Sequence, residues 1–438
     1  MSQQFNAGRN IAKENTRPGV ATARPPVPGG LYSITAFVAP TLVFIKLTYV
    51  GSIYITEMVI GLLLAHALLS GAWAMRDRNL RKCLMLCGLW LAGQIISDLV
   101  NVTAYENYIR GWAKILVIIT NIVGIYILMG DNRRRWTGFG LGYALGCAIS
   151  YYYDPSIYAE NMPWKFGLGY CVTAFIVLSC NLSLLHNNGL KALMIASAGA
   201  LNIIMGFRSL GLICGLTAAF VLAYTYKVRI RRYNMQKTKG ILLLISVVVL
   251  SGVIAREFYG YVASAGYMGE REKIKYEQQS SGKYGTIIGG RSWLIASFFA
   301  IADHPVFGQG SWIKDDIYLN EAYDYLNAEG YDLSRHLDDY ATIHSYFLGA
   351  WVQAGILGIF LWIWMLWLIY RTVVSVYMSS VGPAPWLIFN ALFLLWNILF
   401  SALGANQRIL AAYQIVLLLL TLRYLSSQTN AKYGRQLP

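Results

Sequence analysis

From residue 31 onward the chain is a succession of continuously apolar runs of about 15 to 25 residues, separated by short polar links. Such runs predict membrane-crossing α-helices, because a helix satisfies its own backbone hydrogen bonds in lipid. A transmembrane barrel would instead alternate apolar and polar residues in segments of about ten. The pattern predicts an all-α, polytopic membrane protein with about twelve transmembrane helices, near 31–49, 52–73, 83–101, 112–130, 136–153, 164–184, 191–206, 208–226, 240–256, 343–370, 385–402 and 407–424.

The links differ in charge. Arg76, Arg78, Arg81 and Lys82 form one basic group, Arg133 to Arg135 a second, Lys227, Arg229, Arg231, Arg232, Lys237 and Lys239 a third, and Arg423, Lys432 and Arg435 a fourth. With twelve spans all four fall on one side, and the positive-inside rule makes that side, with both termini, cytoplasmic. The opposite, external side receives the long segment 257–342 between the ninth and tenth spans. Across 257–343 thirteen acidic residues stand against seven Lys and Arg. The expected organisation is a cytoplasmic, disordered tail over 1–30, spans over 31–256, a periplasmic loop with short helices over 257–342, spans over 343–424 and a second cytoplasmic tail over 425–438. No cleavable signal peptide is expected in the polar, basic N-terminal stretch.

Inside the loop, 291–302 is an apolar run too short to cross a bilayer, stopped by Asp303-His304-Pro305. The spacing over 313–328 predicts an amphipathic helix with Ile317, Ala322, Tyr325 and Leu326 on one face. Tyrosines and tryptophans at 151–153, 164, 259, 261, 293, 312, 318, 323, 325 and 340 fit an interfacial aromatic belt, with a sugar-stacking surface as the alternative.

Composition agrees with the pattern: 56% hydrophobic, 13% charged and a mean hydropathy of +0.47. The formal charge of +15 would point to nucleic acid in a soluble protein, but here it reports topology, and no nucleic-acid partner is expected. The six cysteines lie in or beside apolar spans, so neither a disulfide framework nor a metal knuckle is expected. Cys83 and Cys87, one turn apart, read as two sulfurs on a packed helix face.

Charges within spans are costly and tend to be functional or paired. Lys46, Glu57, Asp98, Lys114, Arg208 and Arg408 all fall in the outer halves of their helices, predicting a polar chamber open to the outside. Lys46 with Glu57, and Asp98 with Lys114, are the expected ion pairs. Arg208, where two apolar runs meet, reads either as an arginine snorkelling to headgroups or as an anion clamp at a helix start. His344 opens the tenth span and suits a general base. His336 and His304 are less well placed, and His304 precedes a proline. The acidic pairs Asp315-Asp316 and Asp338-Asp339 read as solvated faces, since no ligand spacing accompanies them. No metal or cofactor is expected.

Three features, in order, carry a resemblance. They are Arg208 in its Arg-Ser setting, the Gly290-Arg291 run leading to His304-Pro305-x-x-Gly308-x-Gly310, and His344-Ser345 followed by Gly355-Ile356-Leu357-Gly358. Over about 190–400 the chain resembles the bacterial O-antigen ligase and polysaccharide polymerase superfamily of integral membrane glycosyltransferases. The resemblance implies a GT-C-like helical fold and an external catalytic loop. It also implies transfer of a glycan from an undecaprenyl-diphosphate donor to a glycan or lipid A core acceptor at the periplasmic face of the bacterial inner membrane, in contact with membrane lipid and open to a chain-length regulator. By position, Arg208 and Arg291 match the diphosphate-binding arginines and His344 the catalytic histidine; Lys46, Lys114, His304 and Arg408 are further candidates for substrate contact. Ser345 departs from a frequent asparagine.

That assignment is chemically coherent. Breaking a bond from an anomeric carbon to diphosphate releases an anion needing no proton. Catalysis therefore requires charge stabilisation there, which two arginines supply without a metal, and deprotonation of the acceptor, which one histidine supplies. A single displacement inverts the anomeric centre. Within this class a polymerase is favoured over a ligase by the long acidic, aromatic loop. The rival from another class, a lipid-linked sugar transporter, would be expected to carry internal symmetry, and none is evident.

Overall fold

The computed structural model describes residues 29–48, 51–70, 77–181, 186–230, 246, 253, 256–267, 269–283, 292–312, 317–331, 343–379 and 382–434. Apart from one short hairpin, the elements are helical. They are α1 (Gly29–Thr41), β1 (Lys46–Thr48), β2 (Ser52–Tyr54), α2 (Ile55–Leu69), α3 (Arg78–Val100), α4 (Tyr105–Met129), α5 (Arg133–Tyr153), α6 (Ile157–Asn161), α7 (Gly169–Asn181), α8 (Asn188–Ile204) and α9 (Arg208–Ile230). After them come α10 (Glu270–Ser280), α11 (Ser292–Asp303), α12 (Ile317–Ala328), α13 (Tyr346–Ala354), α14 (Ile356–Met378), α15 (Pro385–Phe400) and α16 (Ala405–Gly434).

Among the described residues, α3, α4, α14, Arg208–Lys227 of α9 and Ala405–Gln428 of α16 are long and apolar enough to cross a membrane, and shorter apolar helices accompany them. The chain is a multi-pass helical membrane protein. At its centre stands α16, apolar around its whole circumference and buried at every residue from 408 to 422, against α4, α14 and α15. The helix starts are written in the sequence: Asp77, Asn132 and Asn187 each accept hydrogen bonds from first-turn N–H groups of α3, α5 and α8. Cys83 and Cys87 are fully buried, as their spacing predicts.

One end of the bundle gathers basic links. Arg423 donates to Tyr126 Oη and Asp131 Oδ2, each at 3.0 Å, and Tyr126 donates to Asp77 Oδ2 at 2.7 Å. Arg133 covers the ring of Tyr424 at 3.8 Å, and Lys227 meets the carbonyl of Tyr377. The other end collects Lys46, Glu57, Asp98, Arg408 and the segments on either side of α11 and α13.

Three expectations are corrected. Lys46–Thr48 and Ser52–Tyr54 are not the abutting ends of two spans but two antiparallel strands pairing Lys46 with Tyr54 and Thr48 with Ser52. Their β-branched and aromatic residues flank Gly51 at φ +132°, a backbone that favours glycine. The segment 343–370 is not one continuous span. It breaks at Gly355 (φ +64°), which ends α13 and begins α14. The buried face of α12 is Leu319, Ala322, Tyr323 and Leu326, whereas Ile317 and Tyr325 of the expected face are exposed. The short helix expected over 291–302 is observed as α11. Most of the ninth span, the greater part of the N-terminal tail, His336, Asp315-Asp316 and Asp338-Asp339 lie outside the described residues.

Candidate active site

The site is built on two parallel helices, α11 and α13. At one end the indole of Trp293 and the imidazole of His344 face each other, ring centroids 5.9 Å apart. At the other, Trp351 Nε1 donates to the Pro305 carbonyl at 2.8 Å, and Gln309 N donates to the Val352 carbonyl at 2.7 Å. Between them Ala300 and Ile301 pack on Leu348 and Val352, with Leu294, Phe347 and Trp351 around them. Apolar periodicity along both helices, Leu348 and Val352 on one and Ala300 and Ile301 on the other, drives the pairing.

Local sequence sets the ends. His304-Pro305 halts α11, and Gly308 (φ +73°) turns the chain back toward α13. A Cβ at Gly308 would press on the backbone of Val352 and Gly355, and one at Gly355 on the carbonyl of Val306. Ile356 N donates to that same carbonyl at 3.1 Å. The glycines of both sequence motifs therefore meet at one crossing, which breaks the helix after Ala354. At the opposite end Ser345 caps α13. Its hydroxyl accepts from Leu348 N at 3.0 Å and donates to the Ile398 carbonyl of α15 at 2.9 Å. His344, exposed, is the residue immediately before that anchored cap.

Arg208 opens α9 after a turn through Gly206 at φ +80°. Its guanidinium carbon lies 4.1 Å from the centre of the Tyr259 ring, and its Nη1 donates to Gln279 Oε1 at 3.1 Å. The guanidinium is thus held over an aromatic ring and tied to α10. Gln279 belongs to α10, which continues to Ser281 and Lys283; these bond to Gly330 and Glu329 beyond α12. Since α12 packs on α11, Arg208 and His344 are tied to one loop assembly, through Gln279 on one side and Trp293 on the other. Arg291 lies outside the described residues and directly precedes α11.

The remaining candidates sit elsewhere. His304 is exposed at the far end of α11, about 16 Å along the helix from the Trp293 end at a rise of 1.5 Å per residue. Arg408 is a buried structural cation. Its Nε and Nη2 reach Glu57 Oε1 at 3.0 Å and Oε2 at 2.8 Å, and Nη2 also meets the Ser52 carbonyl at 2.6 Å. Lys46 pairs with Asp154 at 2.7 Å, so neither Lys46 nor Glu57 has the expected partner. Lys114 donates to Gln353 Oε1 at 2.6 Å, and Asp98 accepts from Trp112 and Ser311 instead. Of the six charges of the expected chamber, Glu57, Asp98, Lys114 and Arg408 are buried and instead tie helices together, because a charge taken out of water needs a fixed partner.

In the sequence Tyr259 and Trp293 read as members of an aromatic belt or sugar-stacking surface rather than as partners of Arg208 and His344, and Gln279 is not singled out. Trp293 had a signal, standing two residues after Arg291, while Gln279 had none.

No curated protein and no solved structure matches the chain. Residues 192–363 match the family model described as O-Antigen ligase, a stretch that runs from α8 into α14 and includes Arg208, Arg291 and His344. Over that stretch the chain is similar to the O-antigen ligase family.

Proposed function

We propose that the protein is an inverting, metal-independent glycosyltransferase of the bacterial inner membrane, acting at the periplasmic face on a glycan carried by undecaprenyl diphosphate. The observation that carries the reading is the pairing of Trp293 with His344, which brings the segment following Arg291 beside the candidate base from some fifty residues away. Arg208 and Arg291 bind the diphosphate with permanently charged, bidentate contacts. The first turns of α9 and α11 begin at Arg208 and Ser292, and their N–H groups add to the same anion stabilisation.

The acceptor hydroxyl is then deprotonated by a ring nitrogen of His344 as its oxygen attacks the anomeric carbon. The carbon–oxygen bond to the diphosphate breaks, and undecaprenyl diphosphate leaves as an anion. One bond forms as one breaks, the proton resides on His344, and the anomeric configuration inverts.

The long loop supports a polymerase, in which the acceptor is another carrier-linked repeat and a chain-length regulator is a natural partner. The description of the matching family supports a second reading, a ligase that joins the polymer to lipid A core. Deleting the gene and resolving the lipopolysaccharide by gel separates them. Single attached repeats mean polymerase, and loss of all attached chains means ligase. Complementation with Arg208→Ala, Arg291→Ala or His344→Ala, each expressed at parental level, is expected to fail; restoration of the parental ladder by all three would remove the mechanism.

A further inference from the structure

A second polar centre lies behind the first. Asp98, near the end of α3, is 3% exposed, a costly position for a carboxylate unless its oxygens are fully engaged. They are: Oδ1 accepts from Ser311 N at 2.6 Å, and Oδ2 accepts from Ser311 Oγ at 2.8 Å and from Trp112 Nε1 at 2.8 Å. Its neighbours grip the same turn. Ser97 Oγ accepts from Gly310 N at 2.8 Å, Asn101 Nδ2 donates to the Gly308 carbonyl at 3.1 Å, and Gln94 Nε2 donates to Ser311 Oγ at 3.0 Å and to the Gln353 carbonyl at 3.1 Å. A Cβ at Gly310 would strike Thr103, and one at Gly111 would strike Ser311. The Gly308–Ser311 turn is thus held between α3 on one side and the break after α13 on the other.

That turn is the C-terminal continuation of α11. The helix spans only Ser292–Asp303, too short to be fixed by crossing a bilayer, and the end it presents to His344 is the one opposite the clamp. Its position along α13 is set by the packing of Ala300 and Ile301 and by this turn. Slipping by one turn, about 5.4 Å, would carry Trp293 away from His344.

Resting on the function proposed above, we infer that Asp98 is a positioning residue for the transfer reaction: by fixing Ser311 it sets the register of α11 on α13, and so places the Trp293 end of α11 relative to His344. A carboxylate suits the task because it accepts from three donors with charge-assisted bonds. An amide offers a single acceptor oxygen, and one donor or more is left buried and unsatisfied.

The test uses Asp98→Asn and, as a milder second variant, Ser311→Ala, which removes only the hydroxyl contacts. Each is purified full length and its folded fraction measured. Per folded molecule, Asp98→Asn is expected to lower kcat/KM for the carrier-linked donor about tenfold, the equivalent of one charge-assisted hydrogen bond. The KM of the acceptor stays unchanged, and Ser311→Ala shows a smaller loss of the same kind. Independently of activity, nitroxide labels at the exposed positions of Phe298→Cys and Tyr370→Cys should give one narrow distance distribution in the otherwise native protein and a broadened or shifted one with Asp98→Asn. Folded variants with native donor kinetics and an unchanged distribution would overturn the inference. If Arg291→Ala and His344→Ala also retain native activity, it is the proposed reaction that fails instead.

Discussion

Arg408 offers the sharpest test of how charge is used inside this bundle. Its side chain is 9% exposed and that of its partner Glu57 3%, and two bonds of 3.0 and 2.8 Å join them. In Arg408→Met, Glu57 keeps only Tyr54 N and Asn121 Nδ2, both at 3.1 Å, and the Ser52 carbonyl loses its guanidinium donor. Removing one member of a buried pair costs about 3–5 kcal/mol. The two surviving donors put the expected value near the lower limit, about 3 kcal/mol. Combining Arg408→Met with Glu57→Leu removes the stranded carboxylate, so the double variant is expected to lose less than the sum of the singles. Chemical unfolding in detergent, monitored through the tryptophans, measures all four corners of the cycle. Transfer activity per folded molecule should be unchanged, since Arg408 is fully engaged with Glu57 and Ser52. A near-neutral Arg408→Met in stability, or one stable but inactive, would refute the structural assignment and return Arg408 to the substrate.

Other expectations follow from single contacts. Gly355→Ala, forced into φ +64° and against the Val306 carbonyl, is expected to destabilise by more than the strain alone, about 1–3 kcal/mol, and to lower activity through the α11–α13 crossing. Ser345→Ala removes the cap of α13 and the tie to Ile398, costing about 1 kcal/mol in unfolding free energy and lowering kcat by disordering His344. Lys46→Met breaks a half-exposed pair with Asp154 and should change stability by no more than about 1 kcal/mol in the same assay. Tyr259→Ala should weaken donor binding more than Tyr259→Phe, because the phenyl ring still supports the Arg208 guanidinium.

The class of the fold was legible because membrane helices announce themselves by length and continuity. The stop at His304-Pro305 gave the end of α11 for the same local reason: proline cannot continue a helix. Tertiary contacts hid the rest. At Gly355, where the helix breaks with φ +64°, the Val306 carbonyl occupies the space a side chain would need, and a glycine in an apolar run does not disclose that. Lys46–Thr48 and Ser52–Tyr54 read as span ends, since short β-branched stretches between apolar runs look alike in either conformation.

The ion pairs were misassigned for a further reason. Sequence proximity suggested Lys46 with Glu57 and Asp98 with Lys114. The true partner of Glu57 is 351 positions away, and Asp98 binds a turn 213 positions on. Of the three proposed site residues, Arg208 and His344 were legible as polar side chains at the mouths of apolar helices. What holds them, Tyr259 and Gln279 for one and Trp293 and Ser345 for the other, depends on how the long loop folds back.

The central claim separates binding from chemistry and is tested most directly by measuring both on one preparation: equilibrium binding of a defined undecaprenyl-diphosphate-linked repeat to purified protein, then single-turnover transfer to acceptor. His344→Ala is expected to bind the donor at parental affinity but form no product, while Arg208→Ala and Arg291→Ala are expected to lose donor affinity. Product formation by His344→Ala at the parental rate, or parental donor affinity in both arginine variants, would contradict the claim.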